Sequence, residues 1–126
     1  MQSSVLSYST SKQGGVVVNT QLRKGVIEMC ILSLISRKDM YGYEIVQAIA
    51  RHTEINEGTV YPILRRLSLD NYFSTYLRES SGGPARKYYS ITDGGRAYLE
   101  KAESEWREMN MIVEKILKGD ENDEQI

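Results

Sequence analysis

Thr59, Tyr61, Arg65 and Arg66 bring a hydroxyl, a phenol and two guanidiniums into one short stretch. Arginine forks onto guanine or clamps a phosphate, and tyrosine and threonine hydroxyls bond phosphates or base edges. The chemistry on offer is recognition of a nucleic acid. Between these residues, Val60, Ile63, Leu64 and Leu67 recur at i, i+3, i+4 and i+7, which is one apolar helix face. A helix with that buried side and that outer side fits a DNA major groove. Pro62 is tolerated in a first turn and costs about 3 kcal/mol deeper inside a helix. It favours a cap at Gly58 or Thr59, with Asn56 as the alternative at the cost of a bent first turn. The competing reading of the stretch is a surface helix with solvated arginines, so the flanking sequence decides.

The remaining reactive residue types point away from catalysis. Cys30 is the only cysteine and His52 the only histidine. One cysteine allows neither an intrachain disulfide nor a CxxC metal site. Cys30 reads as a core thiol and His52 as a helix-end cation. No HExxH, GxSxG, phosphate loop or paired-carboxylate signature occurs. No catalytic residue, metal or cofactor is expected. No stretch approaches the roughly 20 apolar residues of a membrane span, and the start lacks a signal-peptide pattern. The expected location is the cytoplasm.

A net charge of −1 hides an asymmetry: residues 1–96 hold 12 Lys/Arg against 8 Asp/Glu, and residues 97–126 hold 4 against 9. A basic body with an acidic far end suits a nucleic-acid binder. The 126 residues fit one core with an appended element.

The elements that must position the basic helix read as follows. Residues 1–20, rich in Ser, Thr, Gln and Gly, read as a disordered extension. Gln21 to Ser36 reads as a first helix, apolar around nearly its whole circumference, so part of its surface is expected to meet a second subunit. After a polar break with Asp39 as a candidate cap, a second helix is expected from Tyr41 to about Arg51. Gly42 near its start suits a close helix crossing, and its N-terminus with the Tyr41 hydroxyl can hold a phosphate. Thr53–Ile55 reads as a short strand before the basic helix, which stops at Asn71. Tyr72–Arg78 and Ala85–Ile91 flank a glycine-rich turn and read as a hairpin, with Thr92 capping the next helix. The hairpin brings Gly83, Arg86 and Lys87 to a tip that can approach a phosphate backbone closely. Neighbouring strand residues point to opposite faces, so Arg86 and Lys87 cannot both face one groove ideally.

The last helix is expected over 93–118, loose in its first turn at Gly94 and Gly95. Leu99, Ala102, Trp106, Met109, Val113 and Ile116 are spaced as an a/d seam. A seam with no later partner in the chain predicts a homodimer, its two basic helices meeting half-sites about 34 Å apart or a multiple of that. Trp106 beside small Ala102 reads either as dimer core or as the wall of a cavity for a planar aromatic ligand; the two roles are compatible. Residues 119–126 read as an acidic disordered tail. The expected fold is mainly α with a small β-hairpin: a winged helix-turn-helix over 21–92 plus a long C-terminal dimerisation helix.

Five blocks in order carry a family resemblance: Gln21–Gly25, Tyr41-Gly42-Tyr43-Glu44, Gly58-Thr59-Val60-Tyr61-Pro62 with Leu64–Leu67, Gly83-Pro84-Ala85-Arg86-Lys87-Tyr88-Tyr89, and Thr92-Asp93 with Gly95-Arg96. Over about residues 19–118 the chain resembles short PadR-family transcriptional regulators. The resemblance implies a dimeric winged-helix repressor with its third helix in the major groove, at Thr59, Tyr61, Pro62, Arg65 and Arg66. It implies a wing on the backbone and a terminal helix contacting the partner. It further implies a response to phenolic acids or aromatic drugs, with Trp106 where some multidrug-sensing members line a pore with tryptophan. The chain departs from the family in the residues before 19 and in a wing tip reading Gly-Gly-Pro-Ala, where another basic residue is frequent. The expected partners are a pseudo-palindromic double-stranded operator, a second copy of the chain and a planar aromatic molecule. A winged-helix module that binds protein without sequence-specific DNA binding is the alternative; a steep salt dependence on DNA separates the two.

Overall fold

The computed structural model describes residues 20–119. The expected extension 1–20 and acidic tail 119–126 lie outside them, apart from Thr20 and Gly119. In chain order the elements are α1 (Thr20–Arg37), β1 (Met40–Tyr41), α2 (Gly42–Ala50), α3 (Glu57–Leu69), β2 (Phe73–Ser80), β3 (Gly83–Ile91) and α4 (Asp93–Lys118). The strands form one antiparallel sheet in the order β1-β3-β2. This is a winged helix-turn-helix with a long appended helix, as the periodicities predict.

Apolar stripes from three helices close the core. Ile27, Ile31, Leu32 and Ile35 come from α1, Ile45, Val46 and Ile49 from α2, and Val60, Ile63, Leu64 and Leu67 from α3. Phe73 and Tyr89 cover the core from the sheet, and Leu99 from α4. The rest of α1 is less enclosed than its composition suggests: Cys30 is exposed, and Val26, Met29 and Leu34 are half-buried. Among the described residues no helix is long and apolar enough to cross a membrane.

Three local expectations need correction. The third strand is Met40–Tyr41, which pairs with Tyr89 and Tyr88; Thr53–Ile55 is not a strand. The Thr53 amide instead bonds the Ile49 carbonyl, 3.2 Å away, prolonging the turn that ends α2. Two residues are too short for a periodic signal, so β1 exists only because β3 supplies an edge. At the start of α2 the capping partner is Glu44, whose carboxylate accepts from the Tyr41 amide at 3.1 Å; Asp39 instead accepts from the Tyr76 hydroxyl at 2.6 Å. The α3 cap is Asn56, the alternative reading, whose carbonyl accepts from both the Thr59 and Val60 amides. That places Pro62 inside the helix. The carbonyl it leaves without an in-helix donor belongs to Gly58, which is exposed and open to water.

The stops, turn and cap of the other elements agree with their sequence signals, while the first turn of α4 does not. Asn71 adopts the left-handed conformation, φ 65°. Its amide bonds the Ser68 carbonyl and the Tyr72 amide the Leu67 carbonyl, the paired bonds of a Schellman stop. Gly82 turns the hairpin at φ 73°. Thr92 caps α4 through its hydroxyl, which accepts from the Gly95 amide at 3.0 Å and donates to the Asn71 carbonyl at 2.8 Å. The first turn of α4 is therefore fastened rather than loose.

Candidate nucleic-acid interface

Burial of Val60, Ile63, Leu64 and Leu67 fixes the roll of α3. At 100° per residue, Gly58, Pro62, Arg65 and Leu69 then form the row opposite the core, and all four are exposed. A row that opens on glycine and proline is low enough for the helix to approach a surface closely, with Arg65 as its reaching side chain.

Tyr61 sits on one flank of that row. Its ring lies against the backbone of Gly42, where an added Cβ would meet the ring carbon Cε1 at 2.6 Å and the hydroxyl at 2.8 Å. The missing side chain at Gly42 thus admits the phenol and joins the start of α2 to α3. Burial raises the Tyr61 pKa, and the Glu57 carboxylate adds to the rise. Tyr89, buried beneath, is raised by burial first and then by Tyr61, with Arg65 acting in the opposite direction. Tyr61 therefore stays a neutral hydrogen-bonding phenol at neutral pH. It remains partly exposed, while Thr59 is half-buried on the other flank.

Arg66 does something different. It pairs with Glu28 of α1, whose side chain is only 14% exposed, and with Asp70 at 3.5 Å one turn on. Its guanidinium is drawn back to the body of the domain and fastens α3 to α1. Its side chain nevertheless stays 44% exposed. Glu28 lies 38 positions away, so nothing local signals it.

Strand alternation decides the wing. Lys87 shares the core-side face of β3 with Tyr89 and lies 5.8 Å over its ring. Arg86 is on the other face, 4.5 Å over the ring of Tyr41. The two cations are split between the faces as expected. Gly83 opens β3 opposite Ser80 and is exposed. Sequence reading missed Arg78, which stands directly across from Arg86; only the register brings it there.

The lone cysteine and histidine take no part. Partial burial raises the Cys30 thiol pKa, the direction opposite to an activated thiolate. His52 is exposed at the end of α2. Among the described residues no group of His, Cys, Asp and Glu could hold a metal ion.

On the far side, α4 leaves the body. Leu99 is buried and Ala102 half-buried, and Arg96 anchors the helix through the Ser36 carbonyl at 3.3 Å. Beyond them Trp106, Met109, Ile112, Val113, Ile116 and Leu117 are all exposed on the single chain.

Comparison with known proteins agrees with this architecture. The PadR-like family of transcriptional regulators matches residues 31–101, more than half of the chain. An uncharacterized protein, X, of Lysinibacillus sphaericus is 38% identical over 82% of this chain and 98% of its own length. The transcriptional regulator YqjI of Escherichia coli is 32% identical over 73% of this chain, which spans 43% of that longer protein. The crystal structure of a PadR-like transcriptional regulator from Bacillus cereus superposes with a TM-score of 0.72 at 40% identity, covering 80% of this chain and all of that one. The chain belongs to the PadR-like family of transcriptional regulators, whose members act by binding DNA and not as enzymes.

Proposed function

We propose that this chain is a homodimeric repressor that sets the outward row of α3 into the major groove of a two-fold operator and is released by a planar aromatic effector. The observation that carries the reading is the division of labour between the two arginines of α3. Arg66 is tied to Glu28 and Asp70, and Arg65 is left exposed beside Tyr61. Tyr41 and Tyr61 border the N-terminus of α2, whose free amides and dipole suit a phosphate. Thr59, Pro62, Gly83, Arg86 and Lys87 complete the contact surface, with Lys87 on the α3 side of the wing. The exposed seam of α4 supports the dimer, since a row of large apolar side chains this long on one helix stands out on a soluble monomer.

Fluorescence anisotropy on the DNA immediately upstream of the gene, against shuffled DNA at two salt concentrations, tests the core of this proposal. Arg65→Ala is expected to lose about 1–3 kcal/mol of preference for the operator if Arg65 reads a base, with thermal stability unchanged. Arg66→Ala is expected to do the reverse, losing on the order of 1 kcal/mol of stability because Glu28 is left shielded and unpaired. Equal effects of both variants on DNA affinity, with no change in melting, would remove the distinction. A salt-independent signal on both DNAs would instead favour a protein-binding module.

The effector site is proposed where Trp106 meets its symmetry mate beside Ala102. A ligand there changes the angle between the two DNA-binding units. To weaken DNA binding a hundredfold it must prefer the unbound state by about 2.7 kcal/mol. Quenching of Trp106, the only tryptophan, follows the titration with and without operator. Identical affinities in the two titrations would rule out release by this route.

A further inference from the structure

The end of α1 and one side of α2 border an open pocket of about 520 Å³ that the α3 surface does not use. Arg37, Lys38 and Arg51 give it three cations, all exposed. Tyr41 and Tyr43 add two rings. Glu44 is the one carboxylate among the lining residues, and it is already engaged by the Tyr41 amide at 3.1 Å. A cation-rich pocket rimmed by tyrosines suits an anionic segment that carries several carboxylates. The chain itself supplies one: Asp120, Glu121, Asp123 and Glu124 follow directly after α4.

Reach decides which protomer's segment can enter. Arg96 holds the first turn of α4 to the Ser36 carbonyl, next to Arg37. Lys118 stands about 33 Å further along the helix at 1.5 Å per residue. The stretch from Lys118 to Glu124 spans at most about 22 Å, too short to come back to the pocket of the same protomer. In the proposed dimer Trp106 meets its symmetry mate. With the two helices antiparallel, the partner's Lys118 then lies opposite Gly94, since each is 12 positions from Trp106. Twelve residues are about 18 Å, and a helix crossing of about 20–50° separates the two points by about 11–18 Å. That is within reach of the segment.

We propose that the carboxylates of residues 120–124 dock in this pocket of the partner protomer, on Arg37, Lys38 and Arg51, and compete there with DNA phosphate. The competition follows from Tyr41, which lines the pocket and also borders the N-terminus of α2 where a phosphate is proposed to sit. Tethered to the dimer, the segment acts at about millimolar effective concentration. It shields the cations from random duplexes, and an operator held by α3 displaces it. This inference rests on the homodimeric, DNA-binding reading above and adds three cations that the α3 surface and the wing do not include.

Zero-length carbodiimide coupling of the full, unaltered chain joins a lysine to a carboxylate only where the two touch. It is expected to link Lys38 to residues 120–124 of the other protomer, identified by mass spectrometry of dimers mixed from isotope-labelled and unlabelled chains. Anisotropy on the upstream and shuffled duplexes then follows a variant with Asp120→Asn, Glu121→Gln, Asp123→Asn and Glu124→Gln. At 0.1 M salt this variant is expected to bind the shuffled duplex about eightfold more tightly for each phosphate site freed. Placed on Arg37→Gln, Lys38→Gln and Arg51→Gln, the same neutralisation is expected to change nothing, whereas a diffuse effect of net charge would persist. A dimer by light scattering that gives no such link between protomers, or an equal gain in both backgrounds, overturns the docking and leaves the dimeric repressor standing. A monomer, or the absence of salt-dependent DNA binding, overturns that reading and the docking with it.

Discussion

Placing aspartate at both Val113 and Ile116 is expected to turn the protein into a monomer that no longer holds an operator. Both side chains lie on the exposed seam of α4, 42% and 63% exposed on the single chain. In a two-fold dimer the double variant removes four apolar side chains from the interface and introduces four charges. Burying one such side chain is worth about 1.5–3 kcal/mol, so the dimer loses about 6 kcal/mol before the cost of desolvating the carboxylates is added. At 1.4 kcal/mol per factor of ten, that is about four decades in the dimerisation constant. The operator loses the second half-site contact at the same time, and with it the effective concentration that joins the two. Light scattering after size exclusion gives the mass and anisotropy the affinity. The same mass for variant and unaltered protein would end the proposal that this seam joins the dimer. The substitutions lie beyond the last core contact of α4 at Leu99, so helix content by circular dichroism should be nearly unchanged.

Gly95→Ala is expected to be the most damaging small substitution within the domain. Gly95 is buried where α4 leaves the sheet. A Cβ there falls well inside contact distance of the Tyr72 carbonyl oxygen, 2.8 Å from Ile91 Cγ1 and 3.1 Å from the Tyr72 carbonyl carbon. Two of these atoms are backbone, fixed by the hydrogen bond from the Thr92 amide to the same Tyr72 oxygen at 3.1 Å. The clash cannot be relieved by rotating a side chain. Overpacking of this kind costs about 3 kcal/mol, or roughly 10–20 °C in melting temperature for a domain of this size. Gly94→Ala is the contrasting control. Its Cβ would meet nothing nearer than the Thr92 hydroxyl at 3.7 Å, and alanine is the better helix former. Melting curves at equal protein concentration should show a large drop for Gly95→Ala and none for Gly94→Ala. Equal small effects would mean that the helix moves away from the sheet at little cost.

The contrast between these two glycines marks how far the chain can be read without its fold. Both are poor helix formers, and their pairing suggests a loose first turn. The close passage of α4 over Tyr72 makes one of them a packing requirement. Arg65 and Arg66 divide in the same way. Periodicity sets Arg65 opposite the apolar row and Arg66 on its flank, but the pairing of Arg66 with Glu28 depends on how α1 crosses α3. Arg78 gains its neighbour Arg86, and Tyr41 its place beside Tyr88, only through the register of three strands.

What the sequence by itself determined is everything carried by local periodicity and by residues with strong backbone preferences. The apolar row of α3, the stop at Asn71, the turn at Gly82, the cap at Thr92 and the span of α4 all follow from side chains within a few positions of each other. The order of the helices and the hairpin follows from them, and so does the winged-helix class. The tertiary structure alone decided which cations are free and which are spent on the body of the domain. It also decided which glycine is indispensable and where a two-residue strand forms. The physical reason is common to all of these: an ion pair, a cross-strand partner or a close backbone approach is a relation between residues far apart in the chain. Its strength depends on a distance that only packing sets.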